Sequence, residues 1–148
     1  MVKIADRYFK TDPWNIIEEG FNPQYGRVAE SVFSLGNEYM GVRGFFEEDY
    51  SGDTLLGSYF NGIYERRKLP RSAYKGITDS IEFMVNSVNW LYTRIIADDE
   101  ILDLNVCDFS NFIRKLNLKN GVLTRSFIWH TKNGKKLKLT FERFLAMK

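Results

Sequence analysis

Few residues in this chain have the types and spacing that chemistry requires. Glu47, Glu48 and Asp49 stand together, shortly after Arg43, which lies between Gly41 and Gly44. Paired carboxylates are the usual device of glycoside hydrolysis, but they must flank a sugar from opposite sides. Sequence neighbours make a poor pair of that kind, so the run reads first as a solvated acidic loop. Metal binding needs clustered histidine, cysteine and carboxylate ligands. Here a single histidine, His130, and a single cysteine, Cys107, lie 23 positions apart. A Ser-His-Asp or Cys-His-Asn triad would need that same histidine, and no Gly-x-Ser-x-Gly surrounds any serine. There is no Gly-x-x-x-x-Gly-Lys-Ser/Thr loop, and Gly41–Gly44 is too short for a dinucleotide fingerprint, although Arg43 keeps the type for an anion contact. No catalytic residue, metal site or cofactor is expected. Trp14, Trp90, Trp129, Tyr59 and Tyr64 have the type to stack on sugar faces, yet large aromatics more often serve a core or an interface.

The elements that would position these residues are strands. The chain has 148 residues, 44% hydrophobic and 16% aromatic, enough for one domain with a real core. Its 21 basic and 19 acidic residues leave a net charge of +2, which gives no electrostatic case for nucleic acid or an anionic membrane. One cysteine excludes an internal disulfide and fits a reducing, cytoplasmic setting. The first ten residues lack the apolar stretch of a secretory signal, and no run approaches the roughly 20 apolar residues of a membrane helix.

Residues 1–12 are polar and expected to be loose. Trp14–Gly20 suits either a strand or a short helix, and Phe21–Arg27, with Pro23 and Gly26, reads as a loop. Ser31–Leu35 and Tyr39–Val42 read as two strands joined tightly at Gly36-Asn37. Gly41 and Gly44 then suggest a bulge or the close approach of another backbone. Asp49–Gly57 reads as a loop and Ser58–Tyr64 as a strand. Glu65–Gly76, with Arg66, Arg67, Lys68, Pro70 and Arg71, reads as a long exposed loop whose basic cluster is solvated rather than an anion site. Period-two alternation marks strands at Ile81–Val85 and Trp90–Ile95. Asp98–Glu100 turns the chain, and Ile101–Leu104 is expected to pair back. His130 is placed near the solvent end of a hairpin.

Two Asn-Gly turns, Asn120-Gly121 and Asn133-Gly134, define a meander of Arg114–Lys119, Val122–His130 and Lys136–Leu145. With Asn133-Gly134 as a two-residue loop, Ile128 faces Leu139, Arg125 faces Glu142 and Trp129 faces Lys138. Such pairs contribute roughly 0.2–1 kcal/mol each, and this register is self-consistent. Leu123, Phe127 and Phe144 make the opposite face apolar too, as in the inner layers of a sandwich.

The run Phe33-Ser-Leu-Gly-Asn-Glu-Tyr-Met-Gly-Val-Arg-Gly-Phe-Phe-Glu-Glu48 resembles the N-terminal signature of glycoside hydrolase family 65. Gly57–Glu65, Asn89-Trp90, Leu116–Arg125 and Arg143–Met147 resemble further blocks of that family, in its order. One departure is Glu38, where the family usually has a second glycine after the asparagine, which bears on the turn. The resemblance implies an all-β fold: part of a large antiparallel β-sandwich of the galactose mutarotase-like class, with residues 1–148 as its N-terminal portion. The family's sandwich is longer, so a truncated domain is expected. The family's general acid and phosphate site lie on an (α/α)6 barrel that is absent here. The resemblance therefore implies a non-catalytic role for this chain beside a C-terminal barrel. The whole protein would be a phosphorylase or a hydrolase of α-linked glucose disaccharides; as a phosphorylase it would use inorganic phosphate and release glucose 1-phosphate and a second sugar. Asn37, Arg43, Glu47 and Tyr64 are the candidates for a loop that faces the barrel. Open strand edges and apolar faces predict a homo-oligomer. Two readings compete with this one: a stand-alone carbohydrate-binding module, and a purely structural interaction domain.

Overall fold

The computed structural model describes residues 9–69, 76 and 80–146. In chain order the strands begin with β1 (Lys10–Thr11) and β2 (Asn15–Glu19), followed by a 3-10 turn at Pro23–Tyr25 and a helix, α1 (Gly26–Val32). Then come β3 (Leu35–Gly36), β4 (Met40–Val42), β5 (Ser58–Lys68) and β6 (Ser80–Asn86). The last strands are β7 (Ile96–Ala97), β8 (Glu100–Ile101), β9 (Asp108–Asn117), β10 (Val122–His130) and β11 (Lys136–Arg143). They form a five-stranded sheet in the order β1-β2-β9-β10-β11, a four-stranded sheet β3-β4-β5-β6 and the small β7-β8 hairpin. Every pairing is antiparallel. The all-β expectation holds.

The strand expected at Ser31–Leu35 is mostly absent. The residues before Leu35 form α1, not a strand. Asn22 Oδ1 accepts from the Gln24 amide, and Pro23 follows at the first turn, a standard way to start a helical segment. Ala29 and Phe33, four apart, share one face and are fully buried. Read alone, Val32-Phe33 favours a strand, and burial of the helical stripe overrides that local preference.

The hairpin after α1 is real but its turn differs. Leu35 pairs with Val42 and Gly36 with Gly41, and the Asn37 amide donates to the Met40 carbonyl at 2.9 Å. Glu38 and Tyr39 are therefore the central residues, and Gly36 sits in the ladder. The basic Arg66–Lys68 run is also a correction. It continues β5 opposite Ser80–Glu82, with Arg66 ion-paired to Glu82. Pro70 and Arg71, and most of the remaining loop, lie outside the described residues, as do residues 1–8 and Met147. The strand expected at Trp90–Ile95 is also absent: Trp90 and Leu91 form a turn, and residues 92–95 join no sheet. The alternation there arises because Leu91 and Ile95 each pack against a core.

The meander is present with a different register. Gly121, at positive φ, closes a loop of residues 118–121, since Val122 pairs with Asn117. At the other end the Thr131 amide donates to the Lys135 carbonyl, and Gly134 takes φ +80°. That is a three-residue loop with glycine in the left-handed position. The extra residue moves every partner by one. Arg125 faces Phe141, Phe127 faces Leu139, Ile128 faces Lys138 and Trp129 faces Leu137. Leu123, Arg125, Phe127 and Trp129, alternate residues of β10, share the buried face.

Two cores lie on that face. Leu35 and Val42 meet Ala29, Phe33, Phe45, Leu116 and Leu123 in the first. Phe46, Leu102, Leu104, Phe112, Phe127 and Trp129 make the second. Segment 43–48 runs between them across the five-stranded sheet. By contrast, Ile63, Tyr64, Ile81, Phe83 and Met84 on β5 and β6 are exposed.

Candidate functional site

The inner face of the five-stranded sheet carries three arginines among its apolar residues. Register places Glu18, Arg114, Arg125 and Phe141 side by side across β2, β9, β10 and β11. Arg143 follows one rung away, opposite Leu123. Arg114 and Arg125 are therefore direct cross-strand neighbours of like charge, which needs compensation. Segment 43–48 supplies much of it. Arg125 forks onto Glu48 and also reaches Glu47 at 2.8 Å. Arg143 donates to Glu47 Oε1 and to the carbonyls of Arg43 (2.8 Å) and Phe45 (2.7 Å). Arg114 donates to Glu18 Oε2 at 2.8 Å and to the Gly44 carbonyl at 2.8 Å.

Three guanidinium groups thus face three carboxylates, those of Glu18, Glu47 and Glu48. The charges are desolvated, and each arginine also lies near aromatic rings. Arg125 sits 4.2 Å from the Phe141 centroid and 4.3 Å from that of Phe46, and Arg114 sits 4.7 Å from that of Phe33. Planar guanidinium, bidentate carboxylate and ring face suit such a site, where lysine would not.

The two flanking carboxylates respond differently. Burial raises the Glu18 carboxyl above its ordinary range and outweighs the opposing pull of Arg114. Burial also pushes Glu47 upward, but Arg125 and Arg143 together overcome it and hold that carboxyl below the ordinary range. Because Glu47 is easier to ionise when folded, its contribution is complete above the unfolded value near 4.5 and is lost as pH falls through the lower folded value. Glu18 acts in the opposite sense: the native state takes up its proton first, so stability rises as pH falls toward the unfolded value. Thermal melts across pH should show a stability maximum at mildly acidic pH and a fall below about 4.5. Glu47→Gln should flatten that acid limb, and an unchanged acid limb would refute the assignment.

The structure separates the four sequence-stated candidates. Glu47 is mostly buried within the arginine cluster. Arg43 is partly buried; its guanidinium donates to the Leu55 carbonyl (2.9 Å), the Ser31 hydroxyl (2.8 Å) and the Arg27 carbonyl (3.3 Å). Asn37 closes the β3-β4 turn, its Oδ1 accepting from the Tyr39 and Met40 amides. Tyr64 lies apart on the outer half of β5, opposite Met84, with its ring exposed. Arg43 and Glu47 are joined through Arg143, which holds the backbone of one and the carboxylate of the other.

The acidic run is not a solvated loop. The Glu48 side chain is fully buried, and those of Glu47 and Asp49 are only partly accessible, at 16% and 22%. Asp49 accepts from Arg94 and Tyr92, and these hydrogen bonds hold its carboxyl below the usual range. Trp129, considered above for sugar stacking, is wholly inside the second core. His130 Nε2 meets the Ser110 hydroxyl at 2.7 Å. Burial pushes the Cys107 thiol up to about 11, which leaves it unreactive. Among the described residues no three histidine, cysteine or carboxylate side chains gather at a metal-binding distance. No described helix is long and apolar enough to cross a membrane.

Sequence reasoning missed Arg114, Arg125 and Arg143 as partners of the acidic run. Their signal was present: each stands at an inward position of a strand, two residues from a buried or partly buried aromatic or leucine. A chain that binds by charge would aim such groups outward. Here they aim inward and hold segment 43–48 on the sheet.

Residues 16–148 match the family model described as glycosyl hydrolase family 65, N-terminal domain. The chain belongs to family 65. It is 36% identical to the maltose phosphorylase of Bacillus subtilis (strain 168), across 97% of this chain and 19% of that protein. It is 30% identical to the alpha,alpha-trehalose phosphorylase of Thermoanaerobacter brockii, across 92% of this chain and 18% of the other. A solved structure, a putative kojibiose phosphorylase from the human microbiome, superposes with a TM-score of 0.88 at 49% identity. That alignment covers 99% of this chain and 19% of the other. The chain thus spans about a fifth of the relatives it matches, and it corresponds to the family's N-terminal domain. The segment held by the three arginines, residues 43–48, is the last part of the family signature.

Proposed function

We propose that this chain serves as the brace of a disaccharide phosphorylase. The whole protein uses inorganic phosphate to split an α-linked glucose disaccharide and releases glucose 1-phosphate. A C-terminal (α/α)6 barrel carries the general acid and the phosphate site, and this domain supports it. The observation that carries the reading is the fate of the signature carboxylates. Glu47 and Glu48 are consumed by buried guanidinium groups, so this chain offers no accessible carboxyl pair there to flank a sugar. The phosphorylase names of its relatives support the activity.

Asn37, Arg43, Glu47 and Tyr64 define the side proposed to face the barrel, with Tyr64 as the direct contact and Arg43 and Glu47 as its support. The exposed apolar residues of β5 and β6 supply faces for the barrel and for a second copy in a cytoplasmic homo-oligomer. The test is phosphate-dependent release of glucose 1-phosphate from maltose, kojibiose, trehalose and nigerose. A family-length protein carrying this chain should be active on one of them and run as a dimer or larger species by light scattering. The 148-residue chain alone should release none. Inactivity of the long protein on all four, or turnover by this chain alone, would overturn the assignment; a monodisperse monomer would overturn the oligomer.

A further inference from the structure

The tip of the β3-β4 hairpin grips the segment that leaves β11. Asn37 does two things with one amide. Its Oδ1 accepts from the Tyr39 and Met40 amides at 2.9 and 2.8 Å, and its Nδ2 donates to the Ala146 carbonyl at 2.6 Å. The partners fix the orientation, since backbone N–H groups only donate and a carbonyl only accepts. Arg143, the last residue of β11, ties that strand to the stretch just after β4, through the carbonyls of Arg43 and Phe45 and the carboxylate of Glu47. Between these points Leu145 packs on the first core, while Phe144 is exposed. Residues 144–146 carry no regular secondary structure, so no ladder holds them in place.

We propose that Asn37 and Arg143 form a clasp through which the hairpin sets the path of the chain leaving β11, and with it the seating of this domain on the polypeptide that follows. The second half of that statement rests on the reading that a catalytic barrel follows this domain. Asn37 is a positioning residue in this scheme and touches no substrate. Its two duties can be separated chemically. Asn37→Asp keeps the acceptor that closes the turn, deletes the donor to Ala146 and sets a carboxylate oxygen against that carbonyl. Asn37→Ala removes both.

The first test is backbone 15N relaxation on this chain. In the unaltered protein Phe144–Ala146 should show order parameters near the rigid value of about 0.85. Asn37→Asp should lower them to below about 0.6 while Tyr39 and Met40 stay rigid, and Asn37→Ala should loosen both places. Unchanged order at 144–146 in Asn37→Asp would overturn the clasp. The second test places Asn37→Asp in the family-length protein and compares small-angle scattering profiles. A broadened, more extended profile is expected. An unchanged profile would overturn the seating role. A family-length protein that is inactive with or without the substitution would refute the phosphorylase reading and leave the relaxation result standing.

Discussion

Replacing Arg125 by methionine is expected to be among the most damaging single changes in this chain. Arg125 is the fork that neutralises Glu48, whose side chain has no exposure. Methionine nearly fills the space but leaves a carboxylate buried without a partner. Breaking a buried pair in this way costs about 3–5 kcal/mol. For a domain of this size each kcal/mol moves the melting temperature by roughly 2–4 °C, so a fall of about 10 °C or more is expected. The informative comparison is the double variant Arg125→Met with Glu48→Leu. It removes one charge of each sign and leaves Arg114 with Glu18 and Arg143 with Glu47. Replacing a buried pair by apolar groups of similar volume is often neutral or stabilising. Most of the lost stability should therefore return. If thermal melts show the double variant to be as weak as the single one, Arg125 acts through its packing against Phe46 and Phe141 and not by neutralising Glu48.

The second large effect is expected at Gly44. A Cβ placed there would lie 2.7 Å from Phe33 Cβ and 2.8 Å from the Phe33 carbonyl oxygen, much closer than carbon atoms pack. Phe33 is fully buried at the end of α1 and cannot move aside. Gly44 itself is pinned, its amide donating to Glu30 and its carbonyl accepting from Arg114. Gly44→Ala must therefore shift a backbone or break those bonds. Overpacking of about 1–3 kcal/mol and the loss of a charged hydrogen bond of about 1.5–3 kcal/mol add on the same side. Gly41 is the control. Its added Cβ would find only Leu35 O at 3.8 Å, an ordinary contact. Gly41→Ala should be neutral or stabilise slightly, because glycine in a strand carries an entropic penalty of about 0.5–1 kcal/mol. Equal melting temperatures for the two variants would contradict the close approach at Gly44.

These glycines show how far the residues could be read. Gly41 and Gly44 both suggested a bulge or a close backbone, and only Gly44 needs one. Alternation was enough to mark the strands of the meander, because an in-out pattern of period two reflects one buried face, but it misled at Trp90–Ile95, which joins no sheet. The Asn-Gly turns marked the ends of the meander correctly. They could not set its register, since the same dipeptide closes loops of two, three or four residues, and the choice depends on the strands it joins. One extra residue turned Arg125 from a partner of Glu142 into a neighbour of Phe141, so its carboxylate partners come from segment 43–48 and not from β11.

By itself the sequence determined a strand-rich domain, the family 65 signature and its further blocks, and the lack of a metal, triad or phosphate-loop motif. These are properties of residue type and local spacing. The tertiary structure decided that α1 replaces a strand, that Arg66–Lys68 belongs to β5, and that Glu47 and Glu48 lie buried against Arg125 and Arg143, 77 to 96 residues away. A carboxylate's neighbours along the chain do not reveal whether it meets water or a guanidinium. That depends on which residues of distant strands share its face of the sheet, and only the folded chain brings them together.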